Sequence, residues 1–225
     1  MQRTILLNHL ATRILALNLP HPARVAFDGV DAAGKTSLAD ELSAFLPTLS
    51  HRPVIRATID RFHNPREVRY RQGPDSPEGY YEDSFNLPAL KRSLLDPLGP
   101  GGSRAVRTAS FDFLTNEPIQ SEAALVERDA VLLFDGIFLL RPELAGCWDF
   151  TIFVQVSFET VLARVIQRDR ATLGDEQSII SRYQKRYIPA QRRYLETCKP
   201  AERADVVIIN DDPQSPQIIH NRVNS

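Results

Sequence analysis

Cysteine is nearly missing from the chain. Cys147 and Cys198 stand far apart with no C-x-x-C spacing, so neither a zinc site nor a disulfide framework is expected. A reducing, cytoplasmic setting is the default. Long apolar runs are lacking as well, since none approaches the ~20 residues that span a bilayer. The apolar stretch 4–19 is interrupted by Asn8, His9 and Arg13, which does not suit a signal peptide, and no membrane partner is expected. There is no excess of either charge: 27 Lys+Arg face 28 Asp+Glu, a formal net charge of -1. Such a balance gives no ground for a nucleic-acid partner. Lysine is scarce, with four against 23 arginines. What is present is ordinary for a globular protein: 225 residues, 43% hydrophobic and 24% charged, enough for one domain with a core that needs no metal or disulfide.

The order of elements narrows the class. Residues 4–18 carry Leu6, Leu10, Ile14 and Leu17 at helical spacing, ended by Pro20 and Pro22. Apolar runs at 25–27, 53–59, 130–134, 150–156 and 204–209 read as strands, separated by helical patterns at 36–46, 87–95, 158–170, 176–187 and 189–197. Residues 104–113 alternate enough to read as a further strand. Residues 61–85 hold Pro65, Gly73, Pro74, Pro77 and Gly79 and show no period, so a long functional loop is expected there. Apolar strands alternating with helices predict an α/β fold, a mainly parallel sheet covered on both faces.

Gly29-Val30-Asp31-Ala32-Ala33-Gly34-Lys35-Thr36 fits G-x-x-x-x-G-K-[ST] without a mismatch, between a predicted strand and a predicted helix. Glycines let backbone N–H groups wrap phosphate oxygens, and the helix N-terminus adds partial positive charge. A nucleotide is therefore assigned to Gly29, Asp31, Ala32, Ala33, Gly34, Lys35, Thr36 and Ser37. Lys35 reaches the β/γ-phosphates, and the Thr36 hydroxyl is a ligand of Mg2+. Asp135 closes the apolar run 131–134, as a carboxylate that holds Mg2+ directly or through water does. Asp60 also ends a predicted strand, where ligands gather in open parallel sheets. It is read as the base toward an attacking hydroxyl and as a contributor to the metal site. His63 follows closely and is taken as an active-site residue.

Together these residues resemble the uridine kinase and phosphoribulokinase branch of the P-loop kinases, from about Arg24 to Asp212. The family's Asp-x-Phe-Tyr, whose Asp is the base, is similar to Asp60-Arg61-Phe62-His63. Its ribose-contacting Asp-His-Pro resembles Asp75-Ser76-Pro77, and its Tyr-Asp-Phe near the base pocket resembles Phe111-Asp112-Phe113. Glu-Gly-Ile is matched by Asp135-Gly136-Ile137, and the arginine-rich lid by residues 164–170. The resemblance implies an ATP- and Mg2+-dependent kinase acting on a hydroxyl of a small metabolite, most readily a nucleoside such as uridine or cytidine. Asp75, Phe111, Phe113, His63 and Arg164 are implied toward the acceptor, and Arg168 toward the transferring phosphoryl group. ATP would lie across the P-loop with adenine near residues 210–213.

Several positions depart from the family pattern. Phe111 replaces a tyrosine, Asn116 a histidine, and Arg182 a glutamine before Tyr183. Two alternatives stay open: a P-loop kinase for pantothenate, nicotinamide riboside or a sugar phosphate, and a regulatory ATPase signalling through residues 61–85. The expected organisation is one kinase domain over 1–225, with an N-terminal helical extension (1–22), an acceptor-side loop (about 61–86) and a lid (about 164–176). A homo-oligomer stays open.

Overall fold

The computed structural model describes residues 1–170 and 174–221. Of the expected lid, residues 171–173 lie outside the described residues. Six strands form one sheet in the order β10-β9-β8-β1-β7-β2: β1 (Ala23–Gly29), β2 (Val54–Thr58), β7 (Val131–Asp135), β8 (Phe150–Gln155), β9 (Val206–Ile209) and β10 (Gln217–Asn221). All pairs are parallel except β9–β10. Every residue of β1 and of β7 is buried, as expected of central strands covered on both faces.

Alternate side chains of these strands divide between two cores. Val25, Phe27, Val131 and Leu133 face α1 (Arg3–Leu15) and α2 (Lys35–Phe45). Ala26, Leu132 and Phe134 face Leu90, Leu94 and Leu98 on the other side. Leu6, Leu10, Ala11 and Ile14 of α1 are fully buried in the first core. Leu10→Ala should therefore lower the unfolding free energy by about 2–5 kcal/mol in urea denaturation; a loss under about 0.5 kcal/mol would mean that α1 adds little to the core.

Register brings the functional strand ends together. Asp135 lies opposite Phe27 of β1 and Thr58 of β2, and Gly29 lies opposite Val154 of β8. The carboxyl ends of four parallel strands thus meet on one edge.

Four expectations are corrected. Residues 61–85 are not a loop without period, because they include helices Arg66–Arg69 and Pro77–Asp83. The order comes from long-range bonds. Buried Asp83 accepts from Arg71 and Gln72, and buried Arg186 donates to the carbonyls of Arg69, Gly73, Pro74 and Ser76. Residues 104–113 are not one strand. They contribute β3 (Ala105–Val106), paired with β6 (Ala124–Leu125), and β4 (Phe111–Asp112), paired with β5 (Glu117–Pro118). Glu176–Arg182 and Ile188–Cys198 form one continuous helix through a π-helical turn, Tyr183–Tyr187, which accommodates Pro189 without a break. Finally, the sheet gains an edge strand, β10, beyond residues 204–209.

Candidate active site

The glycine loop connects β1 to α2 as its motif requires. Gly29 has φ 152°, and a Cβ there would meet the Val154 carbonyl oxygen at 2.3 Å. Gly34, the N-cap of α2, has φ 90°, and its Cβ would meet Asn210 Nδ2 at 2.7 Å. Only glycine fits both positions. Asn210 Nδ2 also donates to the Ala33 carbonyl at 2.7 Å, so the loop is clamped from β9's end. Arg164 donates to the carbonyls of Ala32 (2.9 Å), Asn210 (2.6 Å) and Asp211 (2.9 Å).

A cavity of about 790 Å³ opens above this loop. Asp31, Ala32, Gly34, Lys35, Thr36, Ser37, Asp60, His63, Asp135, Arg164 and Arg168 all line it. Lys35 is buried, and its Nζ donates to the Val30 carbonyl at 2.7 Å. Burial lowers its pKa, and the carboxylates of Asp31, Asp135, Asp28 and Asp60 oppose that shift.

Asp135 is 3% exposed. Its Oδ2 accepts from the Thr36 hydroxyl at 2.5 Å. Arg56 Nη1 lies 2.7 Å from Oδ1, yet it donates to the carbonyls of Ala57 (2.6 Å) and Leu133 (3.3 Å). Oδ1 is therefore a buried oxygen beside a cation with no hydrogen bond of its own. A buried carboxylate next to a P-loop hydroxyl, with one oxygen not hydrogen-bonded, fits Mg2+, a cation that retains waters and takes phosphate oxygens. Among the described residues no group of three or more His, Cys, Asp or Glu could hold a metal by itself, which suits that mode of binding.

Asp60 follows β2 in a short helical turn, Ile59–Phe62, capped by Thr58. It is exposed and lines the cavity. Partial desolvation by the surrounding cavity walls, and then the carboxylates of Asp135 and Asp31, push its pKa up to about 6. A carboxylate so placed is poised as a base near neutral pH.

His63 is held differently. Its Nδ1 is 2.9 Å from the Asp60 carbonyl oxygen, and its ring lies 4.6 Å from Phe85 and 4.9 Å from Phe113. Burial pushes its pKa down to about 4, so it serves as a neutral wall of the cavity. Tyr80 and Phe85 complete that wall.

The other implied residues are not all at the cavity. Asp75 is exposed and lines a separate groove with Asp175, Gln177, Ser178, Ser181 and Arg182. Phe111 is buried in β4 and does not line the cavity. Phe113 is 38% exposed and reaches the site only through His63. Arg164, implied toward the acceptor, clamps the P-loop to residues 210–211 instead. Arg168 stays at the cavity, engaged with Asp169 at 2.6 and 3.0 Å and with the Tyr183 hydroxyl at 3.0 Å.

With this geometry in view, the phosphoribulokinase / uridine kinase family model matches residues 25–214. The chain belongs to that family. Among phosphoribulokinase/uridine kinase relatives, uridine-cytidine kinase B of Dictyostelium discoideum is 27% identical over 190 residues, covering 84% of this chain and 74% of that protein. A pantothenate kinase of Rhodopseudomonas palustris is 30% identical over 145 residues, 59% of this chain and 45% of that one. The chain thus aligns with rather less than half of that pantothenate kinase. Of solved structures, a possible uridine kinase from Bacillus stearothermophilus superposes with a TM-score of 0.70 at 24% identity, covering 89% and 96% of the two chains. D-glycerate 3-kinase from Cryptococcus neoformans gives 0.62 at 12%, covering 95% and 99%. These structures share the fold.

Within this phosphoribulokinase/uridine kinase site, sequence reasoning missed Gln191 and Arg56. Gln191 is fully buried; its Oε1 accepts from the Asp31 N–H at 2.8 Å and its Nε2 donates to Asp31 Oδ2 at 2.9 Å. The Tyr80 hydroxyl donates to the same oxygen at 3.2 Å. The signal was a glutamine at i+3 from Ile188, on a helix face that is otherwise apolar. Arg56 likewise stands inside an apolar strand, where a lone arginine asks for a carboxylate partner.

Proposed function

We propose that the chain transfers the γ-phosphoryl group of ATP to a hydroxyl of a small metabolite, with nucleosides of the uridine or cytidine type as the first candidates. The observation that carries this reading is one cavity holding Asp60 together with the P-loop lysine and Asp135, walled by His63, Tyr80 and Phe85. A protein that only hydrolyses nucleotide needs no such chamber on the acceptor side. Bound Mg-ATP supplies the electrophilic phosphorus and neutralises its oxygens. Thr36 and Asp135 would hold the metal, and the loop amides with Lys35 would hold the phosphates. Asp60 accepts the proton of the attacking hydroxyl at its carboxylate. Arg168 adds positive charge at the rim, and the aromatic wall excludes water. Asn210, whose buried Oδ1 lacks a donor, supports placing adenine near residues 210–213. Two buried free cysteines accord with a cytoplasmic setting.

Another acceptor within the same chemistry is favoured by one observation. Asp75 lies outside the cavity, and Asn116 Oδ1 is already engaged by the Arg66 N–H at 2.8 Å. The contacts implied for a ribose and a pyrimidine are therefore not assembled. The deciding experiment is kcat/KM with labelled ATP for uridine, cytidine, deoxyuridine, adenosine, nicotinamide riboside and pantothenate. Uridine should be poor or unselective, because a pocket that lacks the implied ribose and base contacts discriminates weakly. A strong, exclusive preference for uridine would overturn that expectation, and turnover of pantothenate alone would remove the nucleoside assignment.

Asp135→Asn should raise the Mg2+ concentration needed for half-maximal rate by about tenfold or more, since the carboxylate loses its charge. An unchanged Mg2+ titration would take Asp135 out of the metal site.

A further inference from the structure

Residues 66–69 and 182–186 gather an unusual set of charges beside the acceptor wall. The guanidinium carbons of Arg66, Arg69, Arg182 and Arg186 lie 5.9, 5.7, 5.9 and 4.8 Å from the centre of the Tyr70 ring. Among the described residues, none of the four is ion-paired with a carboxylate. Arg186 is buried and satisfied by backbone carbonyls, and Arg182 donates only to the hydroxyls of Tyr70 (2.9 Å) and Tyr187 (3.0 Å). Stacking on Tyr70 explains those two. It does not explain Arg69, whose Nε is buried with no partner.

We propose that Arg66 and Arg182, which line a groove there, together with Arg69 on the same Tyr70 ring, form a binding site for the anionic group of a small molecule, a phosphate or a carboxylate. A groove of about 470 Å³ opens at the cluster, lined by Arg66, Glu67, Tyr70, Pro74 and Arg182. Glu67 is its one acid, and Asp75 and Asp175 line the adjoining groove with Arg182. Guanidinium forks match the oxygens of phosphate and carboxylate. Burial, together with Arg66 and Arg186, already lowers the pKa of Arg69, a cost that a bound anion reverses. The Tyr187 ring lies 4.6 Å from Tyr80, which lines the main cavity. The anion is thus either the far end of the acceptor or a separate ligand next to it. Only the first case rests on the kinase reading.

The test is calorimetric titration of inorganic phosphate into the full chain, with the P-loop saturated by a non-hydrolysable ATP analogue. One phosphate should bind per chain, weakened about tenfold or more in Arg69→Ala and in Arg182→Gln and partly restored in Arg69→Lys. No binding, or equal affinity in both variants, overturns the site. Should Arg69→Ala unfold by circular dichroism, Arg182→Gln decides, because its partners are two tyrosine hydroxyls. Acceptor KM in the same variants separates the sources: a parallel rise assigns the anion to the acceptor, and an unchanged KM with lost phosphate binding assigns it to a second ligand. Phosphate binding with no turnover of any acceptor keeps the site while removing the kinase reading.

Discussion

Lys35→Ala yields a folded protein whose phosphotransfer falls by about 10³-fold or more, the scale of losing a preorganised charge at the reacting centre. Lys35 is the cation around which Asp28, Asp31, Asp60 and Asp135 are arranged. Its removal leaves those carboxylates facing the phosphates of ATP with no ammonium between them. The fold should survive, because Asp28 is held separately by the Tyr194 hydroxyl and the Leu139 N–H, and burial already raises the pKa values of Asp28 and Asp31. The measurement is steady-state transfer from labelled ATP beside a thermal unfolding curve. Full activity in a folded Lys35→Ala protein would remove the kinase reading.

Asp60→Asn lowers kcat by about 10²–10⁴-fold, the range of a lost general base, with little change in the KM for ATP. The pH profile makes the assignment specific. With its pKa pushed up to about 6, Asp60 is protonated below that pH and cannot accept the hydroxyl proton. Above it the carboxylate is free to act. kcat/KM of the unaltered protein should therefore fall on the acid side of about pH 6, and Asp60→Asn should show a low, flat profile there. An acid limb that persists unchanged in Asp60→Asn would assign the limb to another group. The contrast with Asp135→Asn, which acts through the Mg2+ requirement, separates base from metal ligand.

What could be read from the chain was local. The glycine loop and the acids that end β2 and β7 are specified within about ten residues, by apolar runs that stop at a carboxylate. The structure brings Lys35, Thr36, Asp60 and Asp135 into one cavity for that reason. Asp75 and Phe111 depend on how residues 61–113 are folded, and that is decided from a distance. Arg186 fixes Gly73 from 113 positions away, and β4 is held by a partner strand of two residues. No periodicity in residues 61–85 announces either. The π-helical turns at Lys91–Leu95 and Tyr183–Tyr187 are equally silent, because one extra residue in a turn leaves the apolar pattern nearly unchanged.

Arg186 lies in the long helix that begins at Glu176, and four carbonyls of residues 69–76 hang from its guanidinium. Gln191, one turn further on, grips Asp31 of the P-loop. The same rod is therefore pinned to both halves of the catalytic chamber. If this helix rotates, the P-loop and residues 69–76 must move in step. Tightening one grip tightens the other, so the helix acts as a mechanical strut between the two.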